Sequence, residues 1–186
     1  MKCLLCSKLS LKIICMHCLD SIDLNLRKRI GNDGFIVYSF FDYSSIEFLL
    51  KSKYTLIGSR IYKILSLKAA SYMPKLDSND IYGIGIDDRA LEYYSHSGII
   101  VKCFSNFIKP LYGALKATRN ISYAGKSLEF RSENRKYFKY SGKTNINAIL
   151  FDDVVTTQTS INEAREVLLR NNVNVLFALV LSDARY

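Results

Sequence analysis

The segment of this chain with the clearest chemistry consists of two adjacent carboxylates and a hydroxyl-rich turn. Asp152 and Asp153 are the carboxylates. The turn residues are Thr156, Thr157, Gln158, Thr159 and Ser160. Carboxylates bind ribose hydroxyls or Mg²⁺, and threonine and serine hydroxyls donate hydrogen bonds to phosphate oxygens. The pattern therefore predicts a ribose-phosphate site, with the turn on the phosphate and the acids on the ribose or on Mg²⁺.

The elements around this segment should hold it in place. The apolar run at residues 148–151 is typical of a buried parallel strand. Ile161, Ala164 and Leu168 recur after the turn with helical spacing. The free N–H groups and the dipole of such a helix favour an anion in the turn before it. Open α/β sheets bind ligands beyond the carboxyl ends of their strands, where we expect the two acids.

The segment resembles the loop of type I phosphoribosyltransferases that binds 5-phosphoribosyl-1-pyrophosphate (PRPP). That loop has a hydrophobic strand, two acids, two aliphatic residues and then Thr-Thr-Gly-x-Thr. The resemblance implies that Asp152 and Asp153 are the catalytic pair at the ribose and that PRPP binds with Mg²⁺. It also implies that the turn residues 156–160 hold the 5-phosphate. Gln158 departs from the pattern, because a glycine there lets the backbone approach the phosphate and adopt a positive φ.

Four of the five cysteines lie in the first 18 residues as two Cys-x2-Cys pairs, eight residues apart. They are Cys3, Cys6, Cys15 and Cys18. In a cytosolic chain such pairs favour a tetrahedral zinc site over disulfides. Thiolate ligation offsets the near absence of a core in so short a segment, so we expect the zinc to be structural.

Composition limits the class of protein. The chain has 186 residues, 49% of them hydrophobic, which suits one ordinary domain plus a small appendage and excludes wholesale disorder. No apolar run is long enough to span a bilayer and no signal-peptide layout is present, so we expect a cytoplasmic protein. Lysine and arginine outnumber acids 26 to 17, giving a net charge of +9. This excess suits nucleic acid or an anionic membrane surface as a partner.

The expected fold class is α/β, a type I phosphoribosyltransferase-like parallel sheet flanked by helices, with a small N-terminal zinc-binding module. We divide the chain into a zinc finger at 1–20, a polar connector at 21–34 and the phosphoribosyltransferase-like domain at 35–186. Strands are expected at 35–43, 81–86, 111–115, 137–140, 148–151 and 173–181. Helices are expected after a cap at Ser44 or Ser45, at 56–72, at 94–107 and from the turn to about residue 170.

Three further segments are candidates for ligand contacts. By its position after the strand at 81–86, Arg89 is a candidate contact to the diphosphate. The polar segment 119–134 has the composition of a lid that would bring Lys126 or Arg119 over the diphosphate, and a plain surface loop is the alternative. His96 is either an acid/base group or a histidine in the capping region of a helix, and we favour the second interpretation.

Taken together, the four-cysteine segment, Arg131 with Asn134, Phe138 and the phosphoribosyl loop resemble the ComF family of competence proteins over almost the whole chain. The resemblance implies a zinc finger joined to a phosphoribosyltransferase-like domain that acts in natural transformation. It would handle imported single-stranded DNA on the cytosolic side of the inner membrane, beside the DNA-uptake machinery. The family's usual Arg-Gly-Phe-Asn-Gln is represented here only by residues 94–97.

Three hypotheses follow for the function. The first is a competence protein that binds PRPP and single-stranded DNA, peripheral to the inner membrane and not dependent on transferase turnover. The second is an active, Mg²⁺-dependent phosphoribosyltransferase with an unidentified acceptor base. The third is a non-catalytic scaffold. Five basic residues form either a solvated face or a nucleic-acid face, and we favour the solvated face: Lys51, Lys53, Arg60, Lys63 and Lys68.

Overall fold

The computed structural model describes residues 1–74, 80–87, 89, 94–119 and 136–185. Within them a six-stranded, mostly parallel sheet is flanked by helices, as predicted, and a two-stranded sheet lies beside it. The strands are β1 (Arg27–Ile30), β2 (Ile36–Asp42), β3 (Ile81–Gly85), β4 (Lys109–Leu111), β5 (Leu115–Ala117), β6 (Phe138–Tyr140), β7 (Ile146–Val155) and β8 (Val173–Asp183). The helices are α1 (Met16–Asp20), α2 (Tyr43–Leu50), α3 (Gly58–Ala70), α4 (His96–Cys103) and α5 (Thr159–Arg170), with a 3₁₀ turn at Lys51–Tyr54.

The main sheet has the strand order β1-β2-β8-β7-β3-β4, so the strand that carries the two acids lies in its interior. Only β1 is antiparallel to its neighbour in this sheet. Side chains alternate between the faces of β7. Ile149 and Phe151 pack with α2, α3 and α4, whereas Ala148 and Leu150 pack with α5 and the β5–β6 hairpin. Because both faces are covered, the strand is a continuous apolar run in sequence.

β7 is longer than predicted, and this changes the position of the acids. Its pairing with β8 continues to Val155, which lies opposite Asp183. Asp152 and Asp153 are therefore inside the strand and not beyond its end, as we had expected. Although they are neighbours in the strand, carboxylate oxygens of the two acids lie within 4.8 Å of each other.

Several predicted boundaries also differ. The segment interpreted as a connector contains β1, which pairs with β2 after a turn in which Gly34 has a φ of 78°. The N-cap residue of α2 is Asp42, and not Ser44 or Ser45 as predicted. α4 spans only part of the predicted range 94–107. The strand expected at 111–115 is interrupted by a turn at Gly113, with a φ of 62°, which separates β4 from β5. The division of the chain into domains remains a prediction.

The N-terminal cysteine segment packs against the main core. Cys3, Ile14, Cys18 and Ile22 are buried in the same cluster as Leu65 of α3. In addition, the Lys68 ammonium donates to the Leu19 carbonyl at 2.5 Å. The cysteine segment therefore contributes to the core of the larger unit. None of the described helices is long and apolar enough to cross a membrane.

Candidate functional site

The turn between β7 and α5 forms a small cradle at a helix N-terminus. α5 begins at Thr159 after Gln158, and the first backbone bond of the helix runs from the Asn162 N–H to the Gln158 carbonyl at 2.8 Å. The N–H groups before Asn162 have no acceptor within the helix, so they point toward the turn. The hydroxyl oxygens of Thr157 and Thr159 are 2.8 Å apart. Asp152 and residues 154–161 line a cavity of about 30 Å³ here, which has the donors that an anion requires.

Gln158 adopts the backbone conformation for which the motif normally uses glycine. Its φ of 63° and ψ of 1° are left-handed, which costs a non-glycine residue about 1–3 kcal/mol. Its side chain is buried, with 7% exposed, and is directed toward the β1–β2 turn. A Cβ atom at Gly31 in that turn would lie 3.1 Å from Gln158 Oε1. The absence of a side chain at Gly31 therefore makes room for the glutamine.

Arg29 fixes the backbone of the turn from the neighbouring edge of the sheet. Its Nη1 atom donates to the Thr156 carbonyl at 2.7 Å and lies 3.4 Å from a carboxylate oxygen of Asp183. The side chains of Arg29 and Asp183 are 12% and 1% exposed, so this ion pair is largely removed from water. Sequence analysis placed Arg29 in a polar connector and missed this role. The alternation of half-buried and exposed residues along β1 was the available signal.

Asp153 is bound by groups of the protein itself. Its Oδ2 atom accepts from the Tyr62 hydroxyl at 2.9 Å and pairs with the Lys53 ammonium at 2.8 Å. Its Oδ1 atom accepts from the Val154 N–H at 3.0 Å. Burial raises the pKa of Asp153, but the charge of Lys53 and the hydrogen bonds to this carboxylate together outweigh burial and hold that pKa below its ordinary value. Burial lowers the pKa of Lys53, but the negative charges of Asp153 and Asp152 and the hydrogen bond to Asp153 contribute to a net rise in that pKa.

Asp152 is the acid that lines the cradle. It is half-buried, and its Oδ1 atom accepts from the backbone N–H of Asp153 at 2.9 Å. Burial, together with the negative charge of Asp153, raises the pKa of Asp152 to about 8. The paired acids therefore differ in environment: Asp153 is held by Tyr62 and Lys53, and Asp152 lines the cradle.

His96 lies beside both acids. A ring nitrogen of His96 and carboxylate oxygens of Asp152 and Asp153 all lie within 4.8 Å of one another. The cap of α4 is made by the Ser95 hydroxyl, which accepts a backbone N–H at 2.9 Å, and not by the histidine. Burial lowers the pKa of His96 to about 4, so the ring is neutral near pH 7. Our preference for a capping-region histidine missed this contact, because the acids are more than 50 residues away in sequence.

The four N-terminal cysteines form the second candidate site. Their Sγ atoms all lie within 4.8 Å of one another, and those of Cys6 and Cys15 are 3.8 Å apart. A tetrahedral site with Zn–S bonds of about 2.3 Å has sulfur–sulfur edges of about 3.8 Å. The Cys15 N–H also donates to Cys3 Sγ at 3.3 Å. The cluster therefore has the donor set and the spacing that one zinc ion needs.

The other predicted contacts are only partly described. Arg89 donates to the Ala117 carbonyl, and the Asp87 carboxylate accepts the Ala117 N–H at 2.9 Å, so Arg89 is used to fix β5. The Arg119 guanidinium lies 4.4 Å from the centre of the Tyr137 ring. Three residues of the predicted lid and family motif lie outside the described residues: Lys126, Arg131 and Asn134.

Comparisons with known proteins give matches among solved structures. The sequence matches no protein-family model and none of the curated proteins. Adenine phosphoribosyltransferase from Saccharomyces cerevisiae is 13% identical over 91% of this chain and 89% of its own, with a TM-score of 0.42. Orotate phosphoribosyltransferase from Aeropyrum pernix is 18% identical over 86% and 75%, with a TM-score of 0.38. UMP synthase from Leishmania donovani is 16% identical over 89% of this chain, which spans 30% of that protein, with a TM-score of 0.37.

Proposed function

We propose that this protein binds PRPP, or a closely similar ribose phosphate, in the cradle between β7 and α5. The observation that carries the proposal is the convergence of three anion-binding features at one point: a helix N-terminus, two hydroxyls 2.8 Å apart and a turn held in a left-handed conformation. The 5-phosphate would accept hydrogen bonds from the N–H groups of α5 and from Thr157 and Thr159.

The ribose would lie against Asp152. This carboxylate lines the cradle, whereas Asp153 is already bound by Lys53 and Tyr62. Asp153 is therefore a positioning residue in this proposal. Asp152 would hold Mg²⁺ together with phosphate oxygens, as is usual for this ion, and the metal would neutralise the diphosphate charge. The proposal concerns binding and does not require transferase turnover.

Calorimetric titration with PRPP and Mg²⁺ tests this proposal. We expect Asp152→Asn to weaken binding by about tenfold or more, because Mg²⁺ would displace the proton of Asp152 and use the negative charge of its carboxylate, whereas asparagine has no such charge. Asp23→Asn is the matched control, since it removes an exposed acid far from the cradle in sequence, and it should bind like the wild type. Absence of binding by the wild-type protein would overturn the proposal.

We further propose that zinc occupies the four-cysteine cluster and that the protein acts in DNA uptake during natural transformation, in the cytoplasm next to the inner membrane and its uptake machinery. The net charge of +9 supports single-stranded DNA as the polyanionic partner.

Of the five basic residues considered earlier, Lys53 and Lys68 bind groups of the protein itself. Arg60 and Lys63 on α3 are exposed, and the exposed rings of Phe48 and Tyr54 belong to the preceding elements. Bases of a single strand stack on such rings.

Salt-dependent binding of a single-stranded oligonucleotide tests the DNA proposal. The double variant Arg60→Gln with Lys63→Gln should lower the slope of log K against log salt by about 1.4, because each lost phosphate contact on a single strand accounts for about 0.7. Arg170→Gln, an exposed cation on α5, is the control and should leave the slope unchanged. Binding that does not depend on salt would contradict the proposal.

A further inference from the structure

A second and larger cavity lies between the β1–β2 turn, α5 and the start of β8. Its volume is about 480 Å³, within the range of small-molecule sites. It shares Thr157 and Gln158 with the phosphate cradle, and the rest of its lining is different. Nothing in the proposed binding of PRPP uses this space.

The side chain of Gln158 carries an unpaired hydrogen-bond donor at this cavity. The residue is more than nine-tenths buried, and among the described residues no acceptor lies within hydrogen-bond distance of Nε2. A buried amide N–H without a partner is costly, and native structures rarely keep one without a reason. Because Nε2 itself has almost no accessible surface, a rotation of the Gln158 side chain would be needed for a ligand in the cavity to provide the missing acceptor.

The charges of the lining exclude a strong preference for anions. Two guanidinium groups contribute, but Arg29 is paired with Asp183 and Arg165 with Asp33. The lining also includes Glu166, so its two cations are matched by the two carboxylates Asp33 and Glu166. A free phosphate would therefore gain little here.

Apart from the hydroxyl of Thr157, the remaining polar side chains of the lining are carboxamides, and the rest are apolar. The carboxamides belong to Asn32, Gln158, Asn162 and Asn174, and the apolar side chains to Leu169, Val173 and Val175. Each carboxamide offers a donor and an acceptor side by side, which matches the edge of a nucleobase. Aliphatic side chains suit the faces of a planar ring.

We propose that this cavity binds a nucleobase or a nucleoside whose edge is hydrogen-bonded by the carboxamides of the lining, and that the Gln158 side chain rotates to bring its Nε2 donor to the ligand. The site is distinct from the ribose-phosphate cradle. Because one residue contributes its side chain to the cavity and its backbone to the cradle, occupation of the cavity would also fix the conformation of the phosphate loop.

Gln158 is the only glutamine in the chain, which makes a direct test possible. Protein prepared by cell-free synthesis with side-chain ¹⁵N-glutamine gives one side-chain amide signal pair in an NMR spectrum. Adenosine, guanosine, cytidine and uridine are titrated separately, with ribose as the control. We expect at least one nucleoside to shift both amide protons saturably, with a Kd of about 1 mM or tighter, and ribose to leave them unchanged.

A variant pair locates the binding. Asn162→Ala should weaken the nucleoside by about fivefold, because it removes one carboxamide contact. Asn106→Ala, an exposed asparagine near the opposite edge of the sheet, should leave the Kd unchanged. The proposal is overturned if no nucleoside shifts the signal, or if Asn162→Ala binds as tightly as the wild type. Ribose 5-phosphate is titrated in a separate arm, so failure of the nucleoside site and failure of the PRPP site give different results.

Discussion

At the residue scale, the two acids of β7 have different environments. The Asp153 carboxylate is enclosed by Tyr62 and Lys53, whereas the Asp152 carboxylate lines the cradle. The difference comes from their partners, because Tyr62 and Lys53 both bind Asp153. Two neighbouring carboxylates cannot both be buried in ionised form, because their negative charges repel each other. A lysine that neutralises one of them makes the buried pair tolerable.

This asymmetry predicts different costs for the same substitution. Asp153→Asn leaves the Lys53 ammonium largely buried without its carboxylate, so the free energy of unfolding should fall by about 2–4 kcal/mol. Asp152→Asn keeps the acceptor for the neighbouring N–H and should cost less than about 1 kcal/mol. Urea denaturation of the two variants measures the difference. Equal destabilisation would contradict the assignment of roles.

Gln158 could be identified from sequence as an exception, but its consequence could not. Its backbone has a φ of 63°, the kind of conformation that glycine adopts without strain. The Gln158 side chain occupies the space next to Gly31, and these two residues are 127 positions apart in sequence. Local patterns contain no information about such a contact.

At the element scale, β1 positions the phosphate loop. Alternate residues of this strand are half-buried, and Arg27 and Arg29 are both among them. Arg27 pairs with Asp42 at the surface, where 36% of the Arg27 side chain and 34% of the Asp42 side chain are exposed. Arg29 instead reaches the Thr156 carbonyl and the buried Asp183.

The two arginines therefore form a matched pair for mutation. Arg29→Gln should weaken PRPP binding by about tenfold, because the loop backbone loses a charge-assisted hydrogen bond that fixes it. Arg27→Gln, on the same strand, should change PRPP affinity by less than about twofold. Calorimetric titration of both variants gives the comparison. A similar loss in both would point to a general effect of charge on the ligand and not to positioning of the loop.

The elements differ in how well the sequence predicts them. The helix after the turn at 156–160 was predicted closely and the strand before it only in its central part, because a helical period and a continuous apolar run are local signals. The groups that complete the site come from the 3₁₀ turn, α3 and α4, as Lys53, Tyr62 and His96. Each is an ordinary surface or core residue by its local pattern, and only the tertiary fold brings them to β7.

At the scale of the whole molecule, the cysteine segment and the sheet share one core. Cys3 and Cys18 are buried in the same cluster as residues of α3 and β7. The stability of the larger unit should therefore depend on the metal ion that we propose for the cluster. A separate N-terminal finger would have no such effect.

Removal of zinc tests this dependence. Treatment with a strong chelator, or Cys18→Ser, should lower the melting temperature of the main cooperative transition by at least about 5 °C. Cys103→Ser is the control, because this cysteine lies outside the cluster and should retain both zinc and stability. Elemental analysis accompanies the thermal measurement. A bound zinc whose loss leaves the main transition unchanged would contradict the shared core.

The strand order also has a consequence for the time course of folding. β8, the last strand in sequence, lies between β2 and β7, so Val37 pairs with Ala178. Contacts between such distant residues form slowly, because a long loop must close first. Until residue 173 and those after it emerge during synthesis, β2 and β7 each present an open hydrogen-bonding edge. We therefore expect aggregation to begin with nascent chains whose synthesis stops before residue 173.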